Sequence, residues 1–267
     1  MRPLNDGLYR LATVLAALVA SCFLLFLGAP VLGLVGVGGA HGLADLASDA
    51  DLRNALALTA VTATAATILG AAGGTPIAYF IARRAFRGRA LLAAILDLPL
   101  MIPHPVAGIA LLLALGRESP LGRVLLPIGF RISGSVTGIV CAMLFVSAPL
   151  FLSAARETFV KVDPRYEAVA RTLGDPAWRV FRRVTLPLAT RGLIAAAVVM
   201  WARAISEFGA IVILTYNPKV VSVLSYDRFT TFGLPGALPV AAVLILVGVV
   251  PLTLLRALRY ERATGVI

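Results

Sequence analysis

Apolar positions along this chain come in long unbroken stretches and do not alternate with polar ones. A helix needs about 20 apolar residues to cross the hydrocarbon of a bilayer. Six runs of that order stand between charged segments, at residues 11–37, 55–82, 91–115, 132–155, 192–215 and 234–255. The pattern predicts an all-α polytopic membrane protein with six transmembrane helices. The first run follows Arg2 and Arg10 as a signal peptide would, but it stays apolar past the length of such a segment, so it reads as a retained helix.

One polar island, residues 156–191, breaks the pattern between the fourth and fifth runs. Asp163-Pro164 reads as a helix start, because Asp can cap free N–H groups and Pro fits the first turn. Residues 166–173 then have helical spacing, and Gly174 stands where such a helix would stop. Asp175-Pro176 supplies a second cap ahead of Trp178, Val180, Phe181 and Val184. The island is therefore expected to hold two short helices about a glycine hinge.

Two apolar runs carry unusual chemistry. The third opens with Asp97 and has prolines at 99, 103 and 105, which implies a broken helix or a re-entrant entry. Such backbone is tolerated in a membrane only where protein or water surrounds it, so Pro103, His104, Pro105 and Gly108 are candidate pathway lining. His104 is open to a ligand role or to a neutral, packed one. In the fifth run Arg203 and Glu207 are four apart, so they can share a helix face and neutralise each other. Ser206 and Gly209 join them as path candidates; the ion pair could act in transport or simply fix a helix. In the second run Thr75-Pro76 is expected to bend the helix, and small residues between Gly70 and Gly74 permit close packing. Residues 38–53 read as a Gly-rich and then acidic outer loop with a short surface helix.

Composition agrees with the membrane reading. The 267 residues are 60% hydrophobic and only 14% charged, with mean hydropathy +0.94. Basic residues orient the chain, because short cytoplasmic loops keep Lys and Arg. With the N-terminus inside, 17 of the 24 lie on the cytoplasmic side, 8 of them in the island. Both termini and the island are thus expected in the cytoplasm. The same asymmetry explains the net charge of +11 without nucleic acid. Cys22 and Cys141 both fall within apolar runs, and no metal-ligand spacing occurs. No phosphate loop of the form GxxxxGK[ST] is present, so ATP hydrolysis by this chain is not expected, and no catalytic motif argues for an enzyme. An ion-coupled secondary transporter, with Asp97, Arg203 and Glu207 as relay, is compatible with composition.

The island resembles the cytoplasmic EAA loop of ABC importer permeases: EAA, three residues, Gly, nine residues, Ile-x-Leu-Pro. Gly174 is followed after nine residues by Val184-Thr185-Leu186-Pro187. Ala168, Val169 and Ala170 fill the EAA slots, and the glutamate stands one place early, at Glu167. The segment RAISEFGAIVIL, the later Tyr216-Asn217-Pro218 and the proline-rich third run resemble the molybdate/tungstate branch, with sulfate permeases as relatives. The resemblance implies the type I importer permease fold, with residues 1–53 as first helix and outer loop, 54–259 as permease core and 260–267 as cytoplasmic tail. It implies that Glu167, Ala168, Ala170, Gly174, Asp175, Leu186 and Pro187 couple to an ATPase. It also implies a homodimer, two cytoplasmic ABC ATPase subunits that bind ATP and Mg, an extracytoplasmic oxyanion-binding protein and a place in the cell membrane. No cofactor on this chain is implied.

Overall fold

The computed structural model describes residues 6–263, with side chains over 9–249 and at Thr253. Arg2 and residues 264–267 of the expected tail lie outside the described residues. Among the described residues all regular structure is helical: α1 (Asp6–Ser48), α2 (Ala50–Arg83), α3 (Arg89–Met101), α4 (His104–Leu115), α5 (Pro120–Leu125), α6 (Val136–Lys161), α7 (Pro164–Thr172), α8 (Ala177–Val180), α9 (Leu186–Ile205), α10 (Gly209–Leu214) and α11 (Val221–Ala263). Among the described residues five helical stretches are long and apolar enough to cross a membrane, and α3 with α4, bent by 115°, forms either a broken sixth span or a re-entrant loop. The bend falls at Ile102-Pro103, inside the proline-rich stretch.

The centre of the molecule is α6, packed between α2 and α9. Lipid tails are as apolar as leucine, so these helices are held by close van der Waals fit and by polar ties between helices. Gly70 and Gly74 of α2 lie directly under Met200 and Phe151, and the hydroxyl of Thr59 accepts the Val221 N–H at 2.9 Å. That bond fixes the start of α11 against α2. Helix α2 runs unbroken through Pro76.

Four expectations change at this level. Residues 38–48 continue α1 and do not form a loop, because Gly38 and Gly42 make a seam against the backbone of Leu238 and Pro239. The last membrane helix begins at Val221, ahead of the apolar run at 234–255, and is interrupted at Gly233, where φ is 71°. Its early part is core: Val221 and Leu224 are buried beside Leu52 and Ala55. The fifth run is two elements, since α9 stops at Ile205 and α10 starts at Gly209. Finally, the island has the two expected short helices about Gly174, but only α7 stands alone: α8 passes through a wide π turn at Phe181–Thr185 straight into α9. Pro187 has no N–H to donate, and the wide turn precedes it where a regular helix would crowd its ring.

Candidate functional site

Helix α7 is defined by its own sequence. The Asp163 carboxylate accepts the Arg165 N–H at 2.9 Å, and Pro164 occupies the first turn. At the other end the Gly174 N–H donates to Arg171 O and the Asp175 N–H to Ala170 O, a Schellman closure. Gly174 has φ +91°, the left-handed region that an L side chain enters only with strain. The cap expected from Asp175 is absent. Its carboxylate accepts from Arg179 at 3.0 Å instead, and Pro176 stands at the N-cap of α8.

Glu167 points inward from α7 and is 5% exposed. Its Oε1 accepts from Arg83 Nε at 2.8 Å and from the Thr185 hydroxyl at 2.9 Å; its Oε2 accepts from Tyr79 at 3.3 Å. Arg83 also donates to Val162 O at 2.8 Å. One carboxylate therefore joins α7 to the end of α2 and to the π turn below α9. The Tyr79 ring is packed on Phe159 and Phe181, so the polar clamp sits on an aromatic base. Opposite Glu167, α7 presents Tyr166, Val169 and Leu173 at helical spacing, and Leu173 is 82% exposed. Trp178, 68% exposed and stacked on Phe181, extends this apolar face past the hinge. Ala168 is exposed, Ala170 and Leu186 are half-buried, and Pro187 is exposed at the island's end. Tyr79, Arg83 and Thr185 were not singled out by sequence reasoning as partners of this loop.

A second cluster forms where two helices break. His104 starts α4, and Arg203 and Glu207 flank the end of α9. Arg203 Nη2 lies 2.8 Å from Glu207 Oε2 and 2.7 Å from His104 Nε2. The same Nη2 is 3.1 Å from His104 Nδ1, which itself stands 3.5 Å from Glu207 Oε2, so the imidazole is wedged between the two ions. Glu207 is 0% exposed, and its second oxygen accepts the Ala210 N–H at 2.8 Å. Its backbone carbonyl accepts the Ser222 hydroxyl at 2.7 Å, which brings α11 into the junction. A Cβ on Gly209 would stand 2.6 Å from the His104 Cβ, so only glycine lets α10 start against α4. Gly108 packs in the same seam, on the backbone of Ala210. Ser206 is exposed and bonded to Arg203, while Pro103 and Pro105 are exposed on the rim. Asp97 is apart from this cluster and accepts from Ser153 at 3.3 Å.

At the opposite end of the bundle from the island, Asp49 pairs with Arg228, tying the α1/α2 corner to α11. Burial pushes the Asp49 carboxyl up, but the Leu52 N–H and the Arg228 guanidinium outweigh it and hold it below its usual range.

The family described as binding-protein-dependent transport system inner membrane component matches residues 74–260, which include the island and the Arg203 junction. The chain is 41% identical over 194 residues to the molybdate/tungstate transport system permease protein WtpB of Thermococcus kodakarensis, covering 73% of this chain and 72% of that relative. It is 33% identical over 221 residues to the sulfate transport system permease protein CysW of a Synechocystis species, covering 81% and 79%. A solved bacterial alginate ABC transporter, in complex with a periplasmic protein holding an alginate pentasaccharide, has a chain that superposes with TM-score 0.71 over 97% of this chain and 98% of that one, at 18% identity. That likeness gives the fold, an ABC importer permease fold of type I. The match over more than half its length, with a 41%-identical relative, places this multi-pass membrane chain in the family of binding-protein-dependent transport system inner membrane components.

Proposed function

We propose that this chain is the permease subunit of an ATP-driven importer for a tetrahedral oxyanion, molybdate or tungstate. Two copies would enclose the path, two cytoplasmic ABC ATPase subunits would bind ATP and Mg, and an extracytoplasmic protein would deliver the anion. The observation that carries this reading is the construction of the island. An apolar face, Tyr166, Val169, Leu173 and Trp178, is held out to solvent while Glu167 bolts its reverse side to α2 and α9. A face built in that way can dock on a partner and pass displacement to two membrane helices without flexing.

In this reading the termini and the island face the cytoplasm. ATP-driven closure of the ATPase pair draws the two islands together and turns α2 and α9 with them. The path opens outward, the anion leaves its binding protein, and hydrolysis returns the bundle to the inward-facing form. Glu167 serves as an anchor for the lever and not as a surface contact. Ala168, Gly174 and Asp175 shape the docking surface, and Leu186-Pro187 continues the lever into α9.

The junction of His104, Arg203, Ser206 and Glu207 is proposed to line the path, with Pro103, Pro105, Gly108 and Gly209 setting its shape. Arg203 is already neutralised by Glu207, so a passing dianion meets a weak attraction and is not trapped; the binding protein carries the selectivity. The molybdate/tungstate assignment is favoured by the 41%-identical relative, and a sulfate permease stands as the second reading on the 33%-identical one. Uptake of molybdate, tungstate and sulfate by proteoliposomes holding the whole complex separates them. Molybdate or tungstate uptake that requires ATP is expected. Sulfate preference would favour the second reading, and uptake without ATP would replace both with an ion-coupled transporter.

A further inference from the structure

The start of α3 and the end of α6 enclose a hollow of about 750 Å³ at the island end of the bundle. Arg89, Arg156 and Lys161 all line it. None of the three takes part in an ion pair or side-chain hydrogen bond among the described residues, whereas Arg83, Arg203, Lys219 and Arg228 are all paired. Three cations without a direct partner around one hollow repel one another, and an anion between them relieves that repulsion. Arg89 and Arg156 are half-buried, so solvent alone screens them poorly. Glu157, also unpaired, shares the wall and leaves a net charge of about +2 there at neutral pH.

The rest of the lining is apolar: Phe86, Ala90, Ala93 and Val160. Arg89 is the first residue of α3 and Lys161 the last of α6, so the cations stand where two membrane-spanning segments end. That is the level of lipid headgroups, with hydrocarbon directly beyond it. We infer that this hollow is a binding site for an anionic phospholipid. Its phosphate lies among Arg89, Arg156 and Lys161, and its acyl chains run along Ala93 and Val160. A free phosphate or oxyanion offers the cations the same charge but gains nothing from the apolar wall. Basic hollows between membrane helices suit anionic headgroups for this reason. Bound lipid would brace α3, which among the described helices packs chiefly on α6, against the helix that leads into the island.

The test is native mass spectrometry of the full-length chain in mild detergent, titrated with phosphatidylglycerol or phosphatidylcholine. Wild type is expected to retain phosphatidylglycerol in preference to phosphatidylcholine. Arg89→Gln with Arg156→Gln should weaken retention by about fivefold for each cation removed. Glu157→Gln should strengthen it. Arg84→Gln with Arg87→Gln removes the same charge from exposed positions outside the hollow and should leave retention unchanged, and equal melting temperatures of the two double variants exclude misfolding as the cause of any difference. Equal loss in that control pair would overturn the site in favour of a diffuse basic surface. Displacement of the lipid by millimolar orthophosphate would overturn it in favour of a free-anion site.

Discussion

Arg83 and Glu167 stand 84 positions apart in the chain and meet at 2.8 Å, one at the end of α2 and the other in the middle of α7. The pair is nearly sealed from water, with side-chain exposures of 13% and 6%. Removing one partner of a buried, hydrogen-bonded pair leaves the other charge uncompensated, at a cost of about 3–5 kcal/mol. Glu167→Ala is therefore expected to lower thermal stability strongly. Arg83→Met with Glu167→Gln should cost much less than the sum of the single changes, and a double-mutant cycle on melting temperature measures the difference. In transport assays the complex carrying Glu167→Gln should move less anion per ATP hydrolysed by its ATPase subunits, because the lever is loosened where it joins the helices.

Gly174 tests the hinge without touching the clamp. A Cβ there would meet nothing within 4 Å, so any penalty comes from the backbone at φ +91° and not from a clash. Gly174→Val should cost about 1–2 kcal/mol locally and reduce coupled uptake. Gly174→Asn, a residue that tolerates this conformation, should keep most of it. Equal activity of the two variants would mean that the Schellman closure is not needed for coupling.

At the junction, Arg203→Ala strands a fully buried glutamate and is expected to destabilise the protein by about 3–5 kcal/mol and abolish uptake. Arg203→Lys keeps the charge but loses the planar guanidinium, whose Nη2 reaches Glu207 and His104 while Nη1 reaches Ser206, so uptake should fall while the fold survives. Gly209→Leu forces α10 off α4 and should be destabilising by about 1–3 kcal/mol. Uptake kinetics together with thermal melts separate the path role from the packing role.

The Asp49–Arg228 tie makes a pH prediction. The folded-state carboxyl is held below its usual range, so its stabilisation is fully present above the ordinary carboxylate range and is lost as pH falls through the lowered value. The stability difference between wild type and Asp49→Asn should stay constant from neutral pH down into the ordinary carboxylate range and close only below it. Closure between pH 5 and 7 would contradict the pairing.

Local signals in the sequence were reliable guides where local chemistry decides structure. Asp163-Pro164 and Gly174 bound α7 as their backbone preferences require, and three prolines in seven residues mark the bend between α3 and α4. Long-range packing was hidden. Nothing near Glu167 announces Arg83, because the pairing depends on how α2 and α6 end beside each other. The helix from Val221 to the break at Gly233 carries Tyr226, Asp227 and Arg228, so it is no uniform apolar run, yet its Val221–Leu224 end is core. Residues 38–48 have a loop's composition and are helical because two glycines lie in the α1/α11 seam. The break at Ser206 was masked by the apolar residues on either side of it. Its visible sign was the glutamate followed by a glycine, the residues that cap and admit α10.

The most direct measurement is ATP hydrolysis and molybdate uptake, recorded together in proteoliposomes holding the permease, its ATPase subunit and its binding protein, for wild type and Leu173→Asp. Leu173 is 82% exposed and outside the clamp, so the substitution leaves the permease folded. If the apolar face of α7 docks on the ATPase, Leu173→Asp should release that subunit from the membrane and abolish uptake while the permease remains inserted. Undiminished uptake with the ATPase still bound, or uptake that needs no ATPase at all, would contradict the lever.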